Sequence, residues 1–246
     1  MASEIYFITQ KDIDNANTLH NFIYNNTEHN YYVSDDFSVS FYISLAQAGF
    51  ISVSHTECNV QYLLPEMQFE YAVLDFENLH VSKKVTKLLK DDSSYIFSVD
   101  NHFDKVLNAI DSYHDDSWIR GRYIELLKEL KVFQDDSIDF ELCTVELCCK
   151  KTGELIAGEV GYTINNIYTS LSGFTSKEKK YNNYGKLQMV LLSTYLEKND
   201  YSFWNMGHPH MQYKLDLGAK ILSRKDFLKR WLKKRNNPKF TDQFKV

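Results

Sequence analysis

Between Phe140 and Phe174 three strand-length runs succeed one another with little between them: FELCTVELCC, LIAGEVGYTI and IYTSLSGF. A short turn around Gly153 joins the first two, and Asn165-Asn166 alone joins the last two. A two-residue Asn-rich connection is a hairpin signal, because asparagine tolerates the left-handed backbone that such turns need. Parallel neighbours need a crossover of a dozen or more residues, so these three strands are expected to form an antiparallel sheet.

After Phe174 the hydrophobic period changes. Beyond the polar stretch TSKEKKYNN comes YGKLQMVLLSTYLEK, which reads as a helix with Leu187, Val190, Leu191, Tyr195 and Leu196 on its inner face. YSFWNM reads as a fourth strand, succeeded by the loop Gly207-His208-Pro209-His210, a short helix to Leu217, a strand AKILS and a basic helix RKDFLKRWLKK. The order is therefore three antiparallel strands, helix, strand, helix, strand.

The first half is a mixture of helices and strands. Phe37 to Ala48 reads as a helix ended by Gly49, with a strand after it. EYAVLDFENLHV alternates like a strand, and SKKVTKLLK comes next with Ser82 as N-cap and Val85, Leu88 and Leu89 on one face. SYIFSVD is another strand. Two helical patterns come after it, one through Phe103, Val106, Leu107 and Ile110 and one through Ile119, Tyr123, Leu126, Leu127 and Leu130, the second with Ser117 as its expected cap.

This order resembles the core of the GNAT acyltransferase fold, in which two central strands part and a substrate enters between them. The expected class is α+β, with a small N-terminal α+β lobe over residues 1–113 and a GNAT-like lobe with a basic terminal helix over residues 114–246. Only 3 Pro and 9 Gly in 246 residues argue against long disordered linkers. No run approaches the 18 apolar residues of a membrane span, and polar residues break up the first ten positions, so neither a membrane segment nor a signal peptide is expected and the chain reads as cytoplasmic. Cys58, Cys143, Cys148 and Cys149 contain no Cys-x-x-Cys pair and read as buried reduced thiols rather than a zinc site. Charge is uneven: Lys220 to Val246 holds ten Lys or Arg against two Asp, a local +8 that leaves −13 for the rest of a chain of net −5. Such a tail is either a nucleic-acid contact or a solvated amphipathic helix.

Two kinds of acyl carrier are open. An acyl-CoA enzyme cradles pyrophosphate on a glycine-rich helix start. The nearest stretch here, NNYGKLQ, offers Gly185 alone, with Leu187 where a second small residue would stand. The fuller resemblance is to the leucyl/phenylalanyl-tRNA–protein transferases, and it runs in order along most of the chain. SFYISLAQAGFIS resembles that family's helix ending in Gly-Ile-Phe-Pro. His80, Val81, Ser82 and Lys83 match its Leu-His-Val-Ser-Arg segment, and the segment through Val99, Asp100, Phe103 and Val106 resembles a Val-x-x-Asp-x-x-Phe-x-x-Val run, at its spacing from Asp100 onward. Trp118-Ile119, Thr144-Val145-Glu146 and the hairpin glycines Gly158 and Gly161 match further motifs in turn. Leu217-Gly218-Ala219, Arg224 and Phe227 complete the series.

The resemblance implies transfer of a leucine- or phenylalanine-like amino acid from charged tRNA to the N-terminal α-amine of a protein, marking it for degradation. No cofactor or metal is expected, since the ester of charged tRNA is already activated. Two departures stand out. Where the family carries Gly-Glu-Ser-Met-Phe-Ser, this chain has Ser170-Leu171-Ser172-Gly173-Phe174-Thr175, so the acid is a leucine. Where the family carries Asp-Cys-Gln, this chain has Asn205-Met206-Gly207, with His208 next.

Asn205 and His208 are accordingly the expected catalytic residues. The first can hold an amine by hydrogen bond, and the second is an imidazole that titrates near neutrality. The plainer reading of His208 and His210 is two solvated loop residues. Tyr168, Ser172, Phe174 and Glu146 are expected to bind substrate, and Lys180, Lys186, Arg224 and Lys225 to meet tRNA phosphates; the plainer readings are core aromatics for Tyr168 and Phe174, a structural hydrogen bond for Glu146 and solvated surface residues for the basic side chains. Non-catalytic binding of tRNA or protein N-termini, and an acyl-CoA-dependent N-acyltransferase, are the alternatives.

Overall fold

A computed structural model describes residues 6–91, 93–135 and 137–234. The end of the basic tail, with Arg235, Lys239 and Lys245, lies outside the described residues. The first stretch holds β1 (Tyr6–Phe7), α1 (Gln10–Asp14), β2 (Tyr32–Val33), α2 (Val39–Ala48) and the hairpin of β3 (Ile51–Glu57) and β4 (Val60–Glu66). Next come β5 (Glu70–Leu74), α3 (Lys83–Leu89), β6 (Tyr95–Val99), α4 (Phe103–Tyr113) and α5 (Arg122–Val132). The three expected strands are β7 (Phe140–Cys149), β8 (Leu155–Ile164) and β9 (Ile167–Thr175). The chain then forms α6 (Tyr184–Lys198), β10 (Phe203–Gly207), α7 (Gln212–Asp216), β11 (Lys220–Ser223) and α8 (Arg224–Lys234).

A seven-stranded mixed sheet in the order β11-β5-β10-β9-β8-β7-β6 is the centre of the molecule. Its only parallel pair among the described strands is β9 with β10. Two of its strands, β5 and β6, come from before Tyr113, so the N-terminal segment and the GNAT-like segment share one sheet across the boundary drawn from sequence. β5 lies between β10 and β11, pairing antiparallel with both, so the last strand reaches the sheet through β5 rather than through β10.

Helices cover both faces, and strand residues alternate between them. Tyr71, Val73, Val160, Ile167 and Phe203 pack with α2, α4, α5 and α8. Ala72, Leu74, Tyr168, Trp204 and Met206 pack with α3 and α6. The result is a three-layer α+β fold.

Local signals are realised where expected. Gly49 ends α2 in the left-handed conformation (φ 96°), and Ser82 Oγ accepts from the Val85 N–H at 3.4 Å. Ser117 does not cap α5, which starts five residues later after Gly121; its hydroxyl instead accepts from the Ile119 N–H. Cys143 and Cys148 are buried as expected, whereas Cys58 is exposed in the β3–β4 turn and Cys149 is half-buried.

Candidate active site

The parallel pairing of β9 with β10 is short. It runs Phe203↔Ile167, Trp204↔Tyr168 and Asn205↔Thr169, and there it ends. From Ser170 to Thr175, β9 continues with β8 as its partner, while β10 bends away through an irregularity between Asn205 and Gly207. The strands therefore part just beyond Thr169 and Asn205. Along the open edge of β9 the backbone has no register partner on β10, so part of its hydrogen-bonding capacity faces the opening. A second irregularity, on the β8 side, leaves Leu171 as the extra residue between Val160↔Ser172 and Gly161↔Ser170.

The expected catalytic pair lies at this point, with the side chain of Asn205 engaged in holding it. Asn205 is 1% exposed; its amide nitrogen donates to Thr169 Oγ1 at 3.4 Å and its oxygen accepts from the Gly207 N–H at 3.0 Å. Its side chain thus fixes the turn that swings β10 away, at a glycine whose φ of 69° suits it to that turn. His208 is exposed, with its ring 4.8 Å from that of His210. Among the described residues no third metal-binding side chain joins them.

The expected substrate-binding residues divide. Ser172 and Phe174 lie half-buried on the free length of β9. Tyr168 is buried and its hydroxyl donates to Glu159 Oε1 at 2.9 Å. Glu146 is remote from the opening in role: it is fully buried, and accepts from Ser98 and Thr144 hydroxyls at 2.7 and 2.6 Å and from the Asn101 and His102 N–H groups at the start of α4. Leu171, where the family resemblance put an acid, packs on the α2 and α5 side of the sheet.

Of the expected tRNA contacts, Lys180, Lys186 and Lys225 are exposed. Lys180 pairs with Glu178 and Glu154, and Lys186 with Asp216 at 3.3 Å, exposed contacts that a phosphate can displace at small cost. Arg224 is different, and its expected role is corrected. Its guanidinium is buried and donates to the carbonyls of Gln68, Ile23, Asn26, His29 and Met67, so it holds the N-terminal segment to the sheet and has nothing left for a phosphate.

Sequence reading missed the buried polar groups beside the opening. Glu159, from β8, is 6% exposed; its Oε1 accepts from Tyr168 and from Ser170 Oγ at 2.7 Å, and its Oε2 from Gln188 of α6 at 3.4 Å. The Trp204 indole N–H donates to Ser170 Oγ at 2.7 Å. Burial pushes the Glu159 carboxyl up, against the pull of these hydrogen bonds and of Lys214. Lys214 of α7, also 6% exposed, donates to the carbonyls of Met206 and His208 at 2.5 and 2.7 Å and so ties the loop after β10 to the helix. Burial pushes its ammonium down to about 8, with the charge of Glu159 opposing. A lone acid in a strand otherwise apolar along both faces, LIAGEVGYTI, was the available signal for Glu159.

A cleft of about 290 Å³ opens alongside, between α3, α6 and α7, lined by His80, Ser82, Lys186, Met189, Tyr213 and Asp216 among others. At the helix start that an acyl-CoA enzyme would use as a phosphate cradle, Gly185 packs closely on β9: a Cβ there would come 3.0 Å from Thr175 Oγ1. The glycine serves the contact of α6 with β9.

The family model described as leucyl/phenylalanyl-tRNA protein transferase matches residues 73–232, about two thirds of the chain, from β5 through nearly all of α8. The chain belongs to this family. Among proteins of curated function none matches the chain. Solved structures are similar at low identity, three of them as follows. L-PGS from Bacillus licheniformis is 16% identical, with a TM-score of 0.40, over 82% of this chain and 51% of that one. FemX is 12% identical, with a TM-score of 0.46, over 80% and 70%. The C-terminal domain of a putative lysylphosphatidylglycerol synthetase from Agrobacterium fabrum is 11% identical, with a TM-score of 0.44, over 73% and 62%. The chain spans about half the length of the first, and at this similarity none of the three speaks to function. Two departures from the transferase motifs, Leu171 and Asn205, both lie at the opening. Among the described residues, no helix is long and apolar enough to cross a membrane.

Proposed function

We propose that this member of the transferase family moves an amino acid from charged tRNA to the N-terminal α-amine of a protein, with a leucine- or phenylalanine-like aminoacyl group and degradation of the tagged protein as the consequence. The observation that carries the reading is the parting of β9 from β10 beyond Thr169 and Asn205 within the matched region. Aminolysis of an activated ester needs the amine and the carbonyl carbon held in contact, and positioning alone removes much of the barrier. It also needs donors for the developing oxyanion, a part that backbone N–H groups of β9 beyond the last pair with β10 would play. Ser172 and Phe174 on the free length of β9 would meet the aminoacyl group, and Lys180, Lys186 and Lys225 the tRNA phosphates. Non-catalytic binding is the second reading, favoured by Leu171 in place of the family acid and by the engaged amide of Asn205.

The test is a transfer assay with tRNA charged with labelled leucine or phenylalanine and a peptide bearing N-terminal Arg or Lys. Label is expected in the peptide. Lys225→Ala is expected to weaken tRNA binding by a few-fold and to lower the slope of log affinity against log salt by about one unit. Saturable binding of charged tRNA with no label transferred would establish the second reading instead.

A further inference from the structure

We propose that Ser170 and Glu159 are the proton relay of this site: Ser170 Oγ touches the incoming amine, and Glu159 takes its proton through that hydroxyl. The inference rests on the transfer reading above, and it deepens that reading by assigning the acid–base step to residues on β9 and β8.

Three observations converge on it. Ser170 is the first residue of β9 past the last pair with β10, so it stands at the fork where the strands part, and it is half-buried rather than sealed. Its hydroxyl has one proton and two lone pairs. The proton is directed to Glu159 Oε1 at 2.7 Å, and one lone pair takes the Trp204 indole N–H at 2.7 Å. One lone pair remains, held by its neighbours in a fixed direction. The carboxylate behind it is buried in a setting where an unneeded charge would be costly. The groups facing Glu159 are the Tyr168 hydroxyl from β9, the Lys214 ammonium and Tyr213 from α7, Cys143 from β7, and the neutral Gln188 from α6. Burial raises the carboxyl's affinity for a proton, which suits a base working near neutrality.

The step balances without any further reactant. The amine nitrogen bonds to the ester carbonyl carbon, and a proton passes from nitrogen to Ser170 Oγ as the serine's own proton passes to Glu159 Oε1. The carbon–oxygen bond to the tRNA ribose then breaks, and the proton returns from Glu159 through the same hydroxyl to the departing ribose oxygen. The products are an amide and a free hydroxyl, and the relay is restored. Asn205 lies on the opposite face of the sheet from Trp204 and has no part in it.

The experiment uses the full chain, labelled leucyl-tRNA and a peptide with N-terminal Arg, comparing wild type with Glu159→Gln, Ser170→Ala and Ser170→Thr. Glutamine keeps the volume and an acceptor for Tyr168 and Ser170, and each variant is checked for the wild-type amide NMR dispersion. The expected result is a loss of roughly 100-fold in kcat for Glu159→Gln and Ser170→Ala, with KM for charged tRNA unchanged. Ser170→Thr is expected to retain most activity, and Glu159→Gln to lose the acid limb of the kcat/KM profile. A Glu159→Gln enzyme within about threefold of wild type, or one that keeps the acid limb, overturns the relay.

A second readout is independent of transfer. The Trp204 indole N–H resonance, assigned with Trp204→Phe, is expected to titrate with Glu159, above the ordinary carboxylate range, in wild type and to be flat in Glu159→Gln. If wild type transfers nothing, the transfer reading falls, and this titration still decides whether hydroxyl and carboxyl are coupled. A flat wild-type resonance overturns the relay.

Discussion

Arg224→Ala is expected to destabilise the protein by about 4 kcal/mol or more, through the loss of donors to several buried acceptors at once. The guanidinium reaches Gln68 O at 3.0 Å and Ile23 O and His29 O at 3.3 Å, and it also meets Asn26 O and Met67 O. It lies 4.6 Å from the centre of the Phe69 ring, and the arginine's own N–H donates to Phe69 O. Among the described residues it makes no direct ion pair; the carbonyl dipoles, the Phe69 ring and the nearby charge of Glu66 compensate its own charge. The residues it collects belong to two segments far apart in sequence from α8, and the substitution therefore loosens the attachment of everything before β5. Lysine has three donors on one nitrogen and cannot serve five carbonyls in a fork, so Arg224→Lys is expected to recover little. Urea unfolding monitored by fluorescence measures both. A loss below about 1 kcal/mol for the alanine variant would contradict this account of α8.

Glu146→Ala is expected to cost about 3 kcal/mol for a related reason. One carboxylate serves four donors: the Ser98 hydroxyl of β6, the Thr144 hydroxyl of its own strand, and two N–H groups where α4 begins. A carboxylate at a helix N-terminus also meets the positive end of the helix dipole. Without it the donors of a fully buried site are left without acceptors, and α4 loses its tie to β7. Glu146→Gln keeps an acceptor oxygen and is expected to lose roughly half as much. The same unfolding measurement checks it; an unchanged midpoint for Glu146→Ala would show that the donors find other acceptors.

Glu146 is expected among the substrate contacts from its motif, with a structural hydrogen bond as the equal alternative, and Arg224 among the tRNA contacts from the basic terminal helix; the structure ties both side chains into the fold. A shared motif marks a position as belonging to a family but does not say whether the family needs it for chemistry or for the fold. Glu146 and Arg224 match the transferase motifs, and the structure employs both as anchors. What is legible from the sequence is local: the three-stranded run with its Asn165-Asn166 turn, the Ser82 cap, the stop at Gly49, and the helix and strand after β9.

The features that sequence does not disclose depend on residues far apart in the chain. The pairing of β5 with β10 joins Leu74 to Trp204, and no periodicity announces it. Ser117 resembles a helix cap because the apolar period extends back to Ile119, yet Gly121 is where the helix enters. Glu159 and Lys214 carry no motif. Glu159 is a single acid in an apolar strand and Lys214 one of two charged residues in a short helix, and only the folding of α7 against the end of β10 brings Lys214 to the Met206 and His208 carbonyls.

The central claim is that the aminoacyl ester and the amine meet where β9 and β10 part. The direct measurement is binding of an adenosine carrying phenylalanine through a stable 3′-amide to nitrogen-15-labelled protein, monitored by amide NMR. The account predicts saturable shift changes centred on Ser170, Leu171, Ser172, Asn205 and Gly207. Saturable changes confined to the cleft of His80, Lys186 and Asp216, with the fork between the strands silent, would contradict it.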